Sequence, residues 1–219
     1  TTLFRSLATC SIMLLAWAYA RATDALGVDL IQQCEVEGFI TQAGRCVGVH
    51  TNRGEILAER VGMAVAGHSG VLAQMAGFRL PITSYTLQAC VSEPVKPVLD
   101  VVLVSPMTGT YVSQSDKGEM VIGGGLDRVP SYGQRGNLPQ LETVLSGLLE
   151  MFPIFRQLRL LRQWGGTVDV TPDSSPIFGE TPLPGLYING GHRLHWLGHF
   201  NNQHQLIAVD FDAHIFEQA

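Results

Sequence analysis

The sequence is poor in charge, since Asp, Glu, Lys and Arg make up only 15% of its 219 residues and the formal net charge is −5. It contains no basic run, which argues against a nucleic-acid surface. Its 4 cysteines are scattered without a C-x-x-C pair, so we expect neither a zinc ribbon nor a disulfide framework, and a reducing cytoplasm fits. Apolar residues make up 46%, and this fraction predicts a folded chain with a sizeable core.

Motifs that carry nucleotide binding or catalysis are also scarce. The nearest fit to G-x-G-x-x-G is the glycine triplet at 123–125, which follows a hairpin pattern and precedes no helix, so it lacks the required context. There is no P-loop, no Ser-His-Asp spacing and no paired-carboxylate context. Four polar residues stand alone in the pattern, and a turn or surface position is the plainer interpretation of each: Tyr111, Lys117, Asp169 and Asp173.

The two ends of the chain are unusual. An apolar run from residue 12 to 20 imitates a signal peptide, but it is too short to span a bilayer and leads directly into a helical pattern. We interpret this end as truncated or altered rather than secretory, and expect no membrane partner. The other end is rich in histidine: His192, His195, His199, His204 and His214. Because Asn201 and Asn202 disfavour a helix there, we expect an irregular tail and no metal site.

Periodicity predicts a mixed order of elements. Residues 14–26 suit a helix ended by Gly27, and the apolar run at 61–67 suits a strand of a parallel sheet. Residues 80–127 are strand-rich, with a hairpin turning at 116–118.

A clear helix follows at 137–152, capped by Asn137 and stopped by Pro153. Residues 165–191 then alternate short apolar pieces with glycine and proline turns, a pattern that alone favours a pair of hairpins at a sheet edge. In the order of the whole chain, it suggests a return to an earlier sheet. We therefore expect two interleaved lobes.

Several long stretches carry a resemblance to a known family. They are "AWAYARATDALGVDLIQQCEVEGF", "AVAGHSGVLAQMAGFRLPI", "SYGQRGNLP" and "TPDSSPIFGETPLPGLYINGG". In this order they resemble the β subunits of heterotetrameric sarcosine oxidases, which are FAD-dependent oxidoreductases of the D-amino-acid-oxidase-like class. The resemblance runs from about residue 15 to residue 191.

The resemblance implies a mixed α/β fold, in which a partial Rossmann-like FAD lobe is interleaved with an antiparallel-sheet substrate lobe. We expect residues 1–80 to form part of the FAD lobe, residues 81–163 the substrate or partner lobe, and residues 164–219 the return to the FAD lobe with an atypical tail. The implied reaction is the oxidative demethylation of sarcosine or a related N-methyl amino acid by hydride transfer to flavin, in sarcosine catabolism. The implied partners are this small amine and other subunits of a cytoplasmic hetero-oligomer.

Site residues follow from matching positions. Val36 matches the strand that meets the adenine end of FAD. Three residues match the strand end near the ADP part of FAD: Ala66, Gly67 and His68. Tyr111 opens the hairpin that in relatives offers a tyrosine to the substrate carboxylate. The glycines of the turn-rich span correspond to backbone that approaches the flavin ring: Gly165, Gly166, Gly190 and Gly191.

Departures from the family matter as much. The N-terminal unit with G-x-G-x-x-G is absent, and Ile12 stands about where relatives attach FMN to a histidine. No lysine follows Lys117, whereas the family has one in its last flavin-facing turn. Because no nucleophile lies near Gly166, where monomeric relatives tether FAD, we expect non-covalent FAD. The chain alone is then expected to be inactive, and the alternative is a non-catalytic flavoprotein fragment or a partner-binding subunit.

Overall fold

The computed structural model describes residues 12–191 of the chain. The expectations for the histidine-rich tail therefore lie outside the described residues. In chain order the elements are α1 (Ile12–Ala25), β1 (Val36–Gln42), β2 (Arg45–Thr51), β3 (Gly54–Leu57), β4 (Val61–Met63), α2 (Ser69–Met75), β5 (Thr83–Pro94), β6 (Leu103–Ser105), β7 (Thr110–Gln114), β8 (Glu119–Leu126), α3 (Leu138–Met151), a 3₁₀ helix (Pro153–Gln157), β9 (Leu160–Val170), β10 (Ile177–Glu180) and β11 (Leu186–Gly190).

The chain divides into two compact units. Of the described residues, the first, here the five-strand unit, contains Ser84–Val168 and residues 12–33. The second, here the parallel-pair unit, contains Cys34–Thr83 and residues 169–191. The assignment of these regions to FAD and substrate stays a prediction.

The five-strand unit is a sheet in the order β6-β7-β8-β5-β9, with helix α3 packed on one face. The predicted hairpin is present as β7 and β8, which pair antiparallel from Thr110↔Gly124 to Gln114↔Met120. Residues of β5, β7, β8 and α3 form the core between sheet and helix: Cys90, Val112, Met120, Ile122, Val144 and Leu148.

Helix α3 begins and ends close to the predicted residues. The Asn137 side chain accepts a hydrogen bond from the backbone N–H of Gln140 at 2.9 Å, so it is the expected N-cap. The Gln140 side chain does not complete a capping box, because its Nε2 donates to the carbonyl of Gly124. Helix α1 also forms, and Gly27 with φ +86° follows its end. The side chains of Tyr19 on α1 and of Leu26 just after it are 50% and 83% exposed.

The parallel-pair unit contains two three-stranded sheets. One is the antiparallel meander β1-β2-β3, and the other has the order β10-β11-β4. Strand β11 pairs antiparallel with β10 and parallel with β4, in the register Leu186↔Val61 to Ile188↔Met63. The return of the turn-rich span to the 61–67 strand is therefore confirmed.

One detail of this unit differs from expectation. The 61–67 run was expected to be one buried strand, but β4 ends at Met63 and both Ala64 and Ala66 are exposed. The physical reason is the turn at Gly67, whose φ of +86° redirects the chain into α2.

Candidate functional site

The carboxyl ends of β4 and β11 lie at the same edge of their sheet, because these neighbouring strands run parallel. Residues 64–68 leave this edge after β4, and Gly190 with Gly191 leave it after β11. In open α/β sheets the crevice beyond such strand ends is the usual place for a ligand. The parallel pair thus brings two of the predicted cofactor segments to one edge.

A buried hydrogen bond joins two segments of the chain at this edge of the sheet. The Ser69 hydroxyl, at the first residue of α2, donates to Oδ2 of Asp169 at 2.7 Å, and both residues are almost fully buried. A Cβ on Gly190 would lie 3.1 Å from the Ser69 Oγ. The glycine therefore lets the end of β11 approach the start of α2. The expectation of a turn or surface position is wrong for Asp169, which is 2% exposed.

The turn-rich span is fixed by contacts of its own. Gly191 has φ +69°, and a Cβ there would lie 2.8 Å from Cγ2 of Thr171. The Thr171 hydroxyl donates to the carbonyl of Ser175 at 2.9 Å, and the Ser175 N–H donates to Oδ1 of Asp173 at 3.0 Å. The backbone hydrogen bond from Ser175 is the main cause that lowers the pKa of the Asp173 carboxyl. Glycine and proline here shape a closed loop.

The other predicted cofactor residues of this unit are Val36 on β1 and residues 66–68 between β4 and α2. Val36 is the first residue of β1 and pairs with Thr51. Ala66 and His68 are exposed, whereas Gly67 is buried between them. Ala66 therefore offers an exposed position, directly before α2, at which a substitution can test ligand binding.

Three predicted residues fall in the five-strand unit. Gly165 lies against Thr86, because a Cβ on it would be 2.6 Å from the Thr86 Cγ2, and its N–H donates to the carbonyl of Gln134 at 2.9 Å. Gly166 has open space where a Cβ would be. Tyr111, on β7, is partly buried, and burial, with a smaller contribution from Cys90, raises the pKa of its phenol.

Sequence reasoning missed a polar network in the same unit. Gln88, 2% exposed, donates to the Asp127 carboxylate and accepts from the Asn137 N–H at 2.8 Å and from the Gln163 side chain at 3.0 Å. A Cβ on Gly136 would overlap the Gln163 side chain, so glycine is required there. These bonds join the loop before α3 to strands β5 and β9. No short motif marks them, since the partners are 10 to 75 residues apart.

Residues 12–191 hold neither a metal-binding cluster nor a membrane-spanning helix. No group of three or more His, Cys, Asp or Glu side chains in that range is arranged to hold a metal ion. None of the helices described there combines the length and apolar character needed to cross a membrane.

Comparison with known proteins defines the class. The sequence profile of the FAD dependent oxidoreductase family matches residues 3–199. The chain therefore belongs to the FAD dependent oxidoreductase family, and the predicted mixed α/β fold is confirmed. The solved structure of L-proline dehydrogenase from P. horikoshii is similar with a TM-score of 0.75 and 29% identity, over 80% of this chain and 48% of that one.

Within this family, particular relatives are more similar in sequence. Sarcosine oxidase subunit beta of Rhodobacter capsulatus is 53% identical over 176 residues, which are 80% of this chain and 42% of the relative. Sarcosine oxidase subunit beta of an Arthrobacter species is 49% identical over 80% of this chain and 44% of the relative. The chain thus spans less than half the length of these relatives.

Proposed function

We propose that this chain contributes to a flavin-dependent amine oxidoreductase that demethylates sarcosine or a related N-methyl amino acid. The 53% identity to a sarcosine oxidase subunit beta supports this substrate class. The structural observation that carries the proposal is the parallel β4–β11 pair, which brings residues 64–68 and 190–191 to one edge of a sheet. By the same likeness, we propose other subunits of a hetero-oligomeric oxidase as partners and the cytoplasm as the location.

The types of residue at this edge of the sheet are suited to binding FAD. Ala66 and His68 are exposed on either side of Gly67, whose left-handed φ forms the turn before α2, and Gly190 and Gly191 let the end of β11 pack closely against Ser69 and Thr171 at the same edge. A glycine turn of this type allows the close approach of a cofactor. We propose that Val36, Ala66, Gly67 and His68 hold the adenine and ADP part, and that the ring part is held by the turn-rich glycines: Gly165, Gly166, Gly190 and Gly191.

FAD held by these residues would supply the two-electron oxidation of the amine. The protein has to bind and orient the substrate. In the five-strand unit we assign substrate binding to Tyr111. A tyrosine phenol is protonated at neutral pH, and burial raises the pKa of Tyr111 further. A protonated phenol donates a strong, charge-assisted hydrogen bond to a carboxylate, and such a bond fixes the orientation of an amino acid.

The cofactor part of the proposal is tested by titrating FAD with the full chain and following the quenching of flavin fluorescence. Ala66→Glu places a bulky anion at the proposed site and is expected to weaken FAD binding. Ala64→Glu is the matched control, because Ala64 is also exposed and lies only two residues earlier. Equal affinities of the two variants and the wild type would refute the site. Bound FAD that sarcosine never reduces, even in a completed enzyme, would instead favour a non-catalytic flavoprotein.

A further inference from the structure

The glycine triplet at 123–125 is not a dinucleotide fingerprint, and each of its glycines has a separate cause. A Cβ on Gly124 would overlap the carbonyl of Gly109, and a Cβ on Gly125 would overlap the Gln140 side chain. Both residues also have positive φ. Gly123 differs, because its φ lies outside the left-handed region and an alanine would not strain its backbone.

The atoms nearest to a side chain at position 123 belong to Tyr111. A Cβ there would lie 2.5 Å from both Cζ and Oη of Tyr111, and 2.8 Å from its Cε1. Gly123 is the residue directly opposite Tyr111 in the β7–β8 ladder. The ring therefore lies across strand β8 rather than standing away from the sheet.

The surroundings support the same geometry. On the side of β8 away from β7, Gly123 pairs with Ala89 of β5. Two small residues, Gly123 and Ala89, therefore lie in succession along the direction in which the Tyr111 ring extends. Thr110 and Val112 face helix α3, where Thr110 Oγ1 donates to the Val144 carbonyl. Because side chains alternate along a strand, Tyr111 points to the opposite face. On that face, Tyr111, Gly123 and Ala89 lie opposite one another on three adjacent strands.

We propose that Gly123 is a positioning residue for substrate binding: by having no side chain, it lets the Tyr111 ring lie over β8 and sets where the hydroxyl meets an amino-acid carboxylate. The carboxylate role rests on the function proposed above, whereas the placement of the ring rests on the geometry. The far end of a tyrosine can swing, so Gly123→Ala should displace the hydroxyl and leave the sheet intact.

The first test uses the full chain and nitration of tyrosines by tetranitromethane, mapped by peptide mass spectrometry. Nitration needs the phenolate, so the raised pKa and the burial of Tyr111 both slow it. We expect Gly123→Ala to raise the nitration rate of Tyr111 several-fold and to leave that of Tyr132 unchanged. Gly133→Ala is the control, because its Cβ would make only ordinary contacts, the nearest at 3.5 Å. An unchanged rate at Tyr111 would overturn the placement.

A second measurement separates positioning from general strand packing. In a Tyr111→Ala background, the Cβ of Gly123→Ala has room, so any loss of stability caused by Gly123→Ala should disappear. An equal loss in both backgrounds, measured by urea unfolding, would mean that Gly123 acts through the strand and would overturn the inference.

The third arm adds FAD and sarcosine to the nitration assay. Sarcosine is expected to protect Tyr111 from nitration in the wild type. Gly123→Ala should need a sarcosine concentration roughly tenfold higher or more for the same protection, because a hydrogen bond to a charged group contributes about this factor to binding. Absence of protection in the wild type would contradict the carboxylate role in the proposed function, while the first arm still decides the position of the ring. Equal protection in wild type and variant would overturn the positioning role.

Discussion

Replacing Ser69 by alanine removes the hydroxyl that donates to the buried carboxylate of Asp169. The bond is 2.7 Å long, and the two residues are 1% and 2% exposed, so water cannot easily take the place of the lost donor. A hydrogen bond to a charged group contributes about 1.5–3 kcal/mol. At about 2–4 °C per kcal/mol for a chain of this size, the melting temperature should fall by roughly 3–12 °C.

The assay combines urea unfolding with hydrogen exchange. Exchange is read on peptides from α2 and β11, because the bond joins the start of α2 to the chain beside β11 and local opening should increase there first. Ser146→Ala is the control, since this serine is exposed on helix α3. The reasoning is refuted if Ser69→Ala changes the free energy of unfolding by less than about 0.5 kcal/mol, the range of ordinary surface substitutions.

Further predictions concern single residues and the cofactor. Asn137→Ala should destabilise the chain by about 0.5–2 kcal/mol in urea unfolding because it removes the cap of α3, whereas Asn137→Ser should keep a capping oxygen without placing a second carboxylate beside Asp127. Burial raises the pKa of the Cys90 thiol from 9.0 to about 11. The stability that the buried neutral thiol contributes is therefore present below pH 9 and is lost as the pH rises through about 11. Cys90→Ala should reduce this loss of stability at alkaline pH. Gly191→Ala should cost about 1–2 kcal/mol because its φ is +69°, whereas Gly70→Ala, with open space in α2, should stabilise by about 0.5–1 kcal/mol. FAD bound by the chain should remain in the supernatant after acid precipitation, and flavin that precipitates with the polypeptide would disprove non-covalent binding.

Local signals in the sequence were enough for several elements. The Asn137 cap, the proline after α3 and the polar turn at 116–118 each act over a few residues, and the structure has all three features near the predicted positions. The return of 186–190 to 61–63 could also be predicted, because buried apolar runs favour parallel pairing.

Long-range contacts could not be predicted in this way. Ser69 and Asp169 are 100 residues apart, and Asp169 was expected at the surface because an isolated aspartate in a turn-rich span usually is. Gly123 was interpreted as part of a failed nucleotide motif, since its true neighbour, the Tyr111 ring, is opposite on another strand. Such partners depend on strand register, which a single sequence does not reveal.

Anaerobic reduction of FAD by sarcosine should be measured in a hybrid enzyme. Residues 15–191 of this chain replace the matching segment of sarcosine oxidase subunit beta from Rhodobacter capsulatus, to which the chain is 53% identical over 176 residues, with the other subunits present. We predict that sarcosine bleaches the visible flavin absorbance of the hybrid, and that Tyr111→Phe slows this bleaching by about tenfold or more through the lost hydrogen bond. A hybrid that binds FAD but is not reduced by sarcosine or any other N-methyl amino acid would contradict the proposed function.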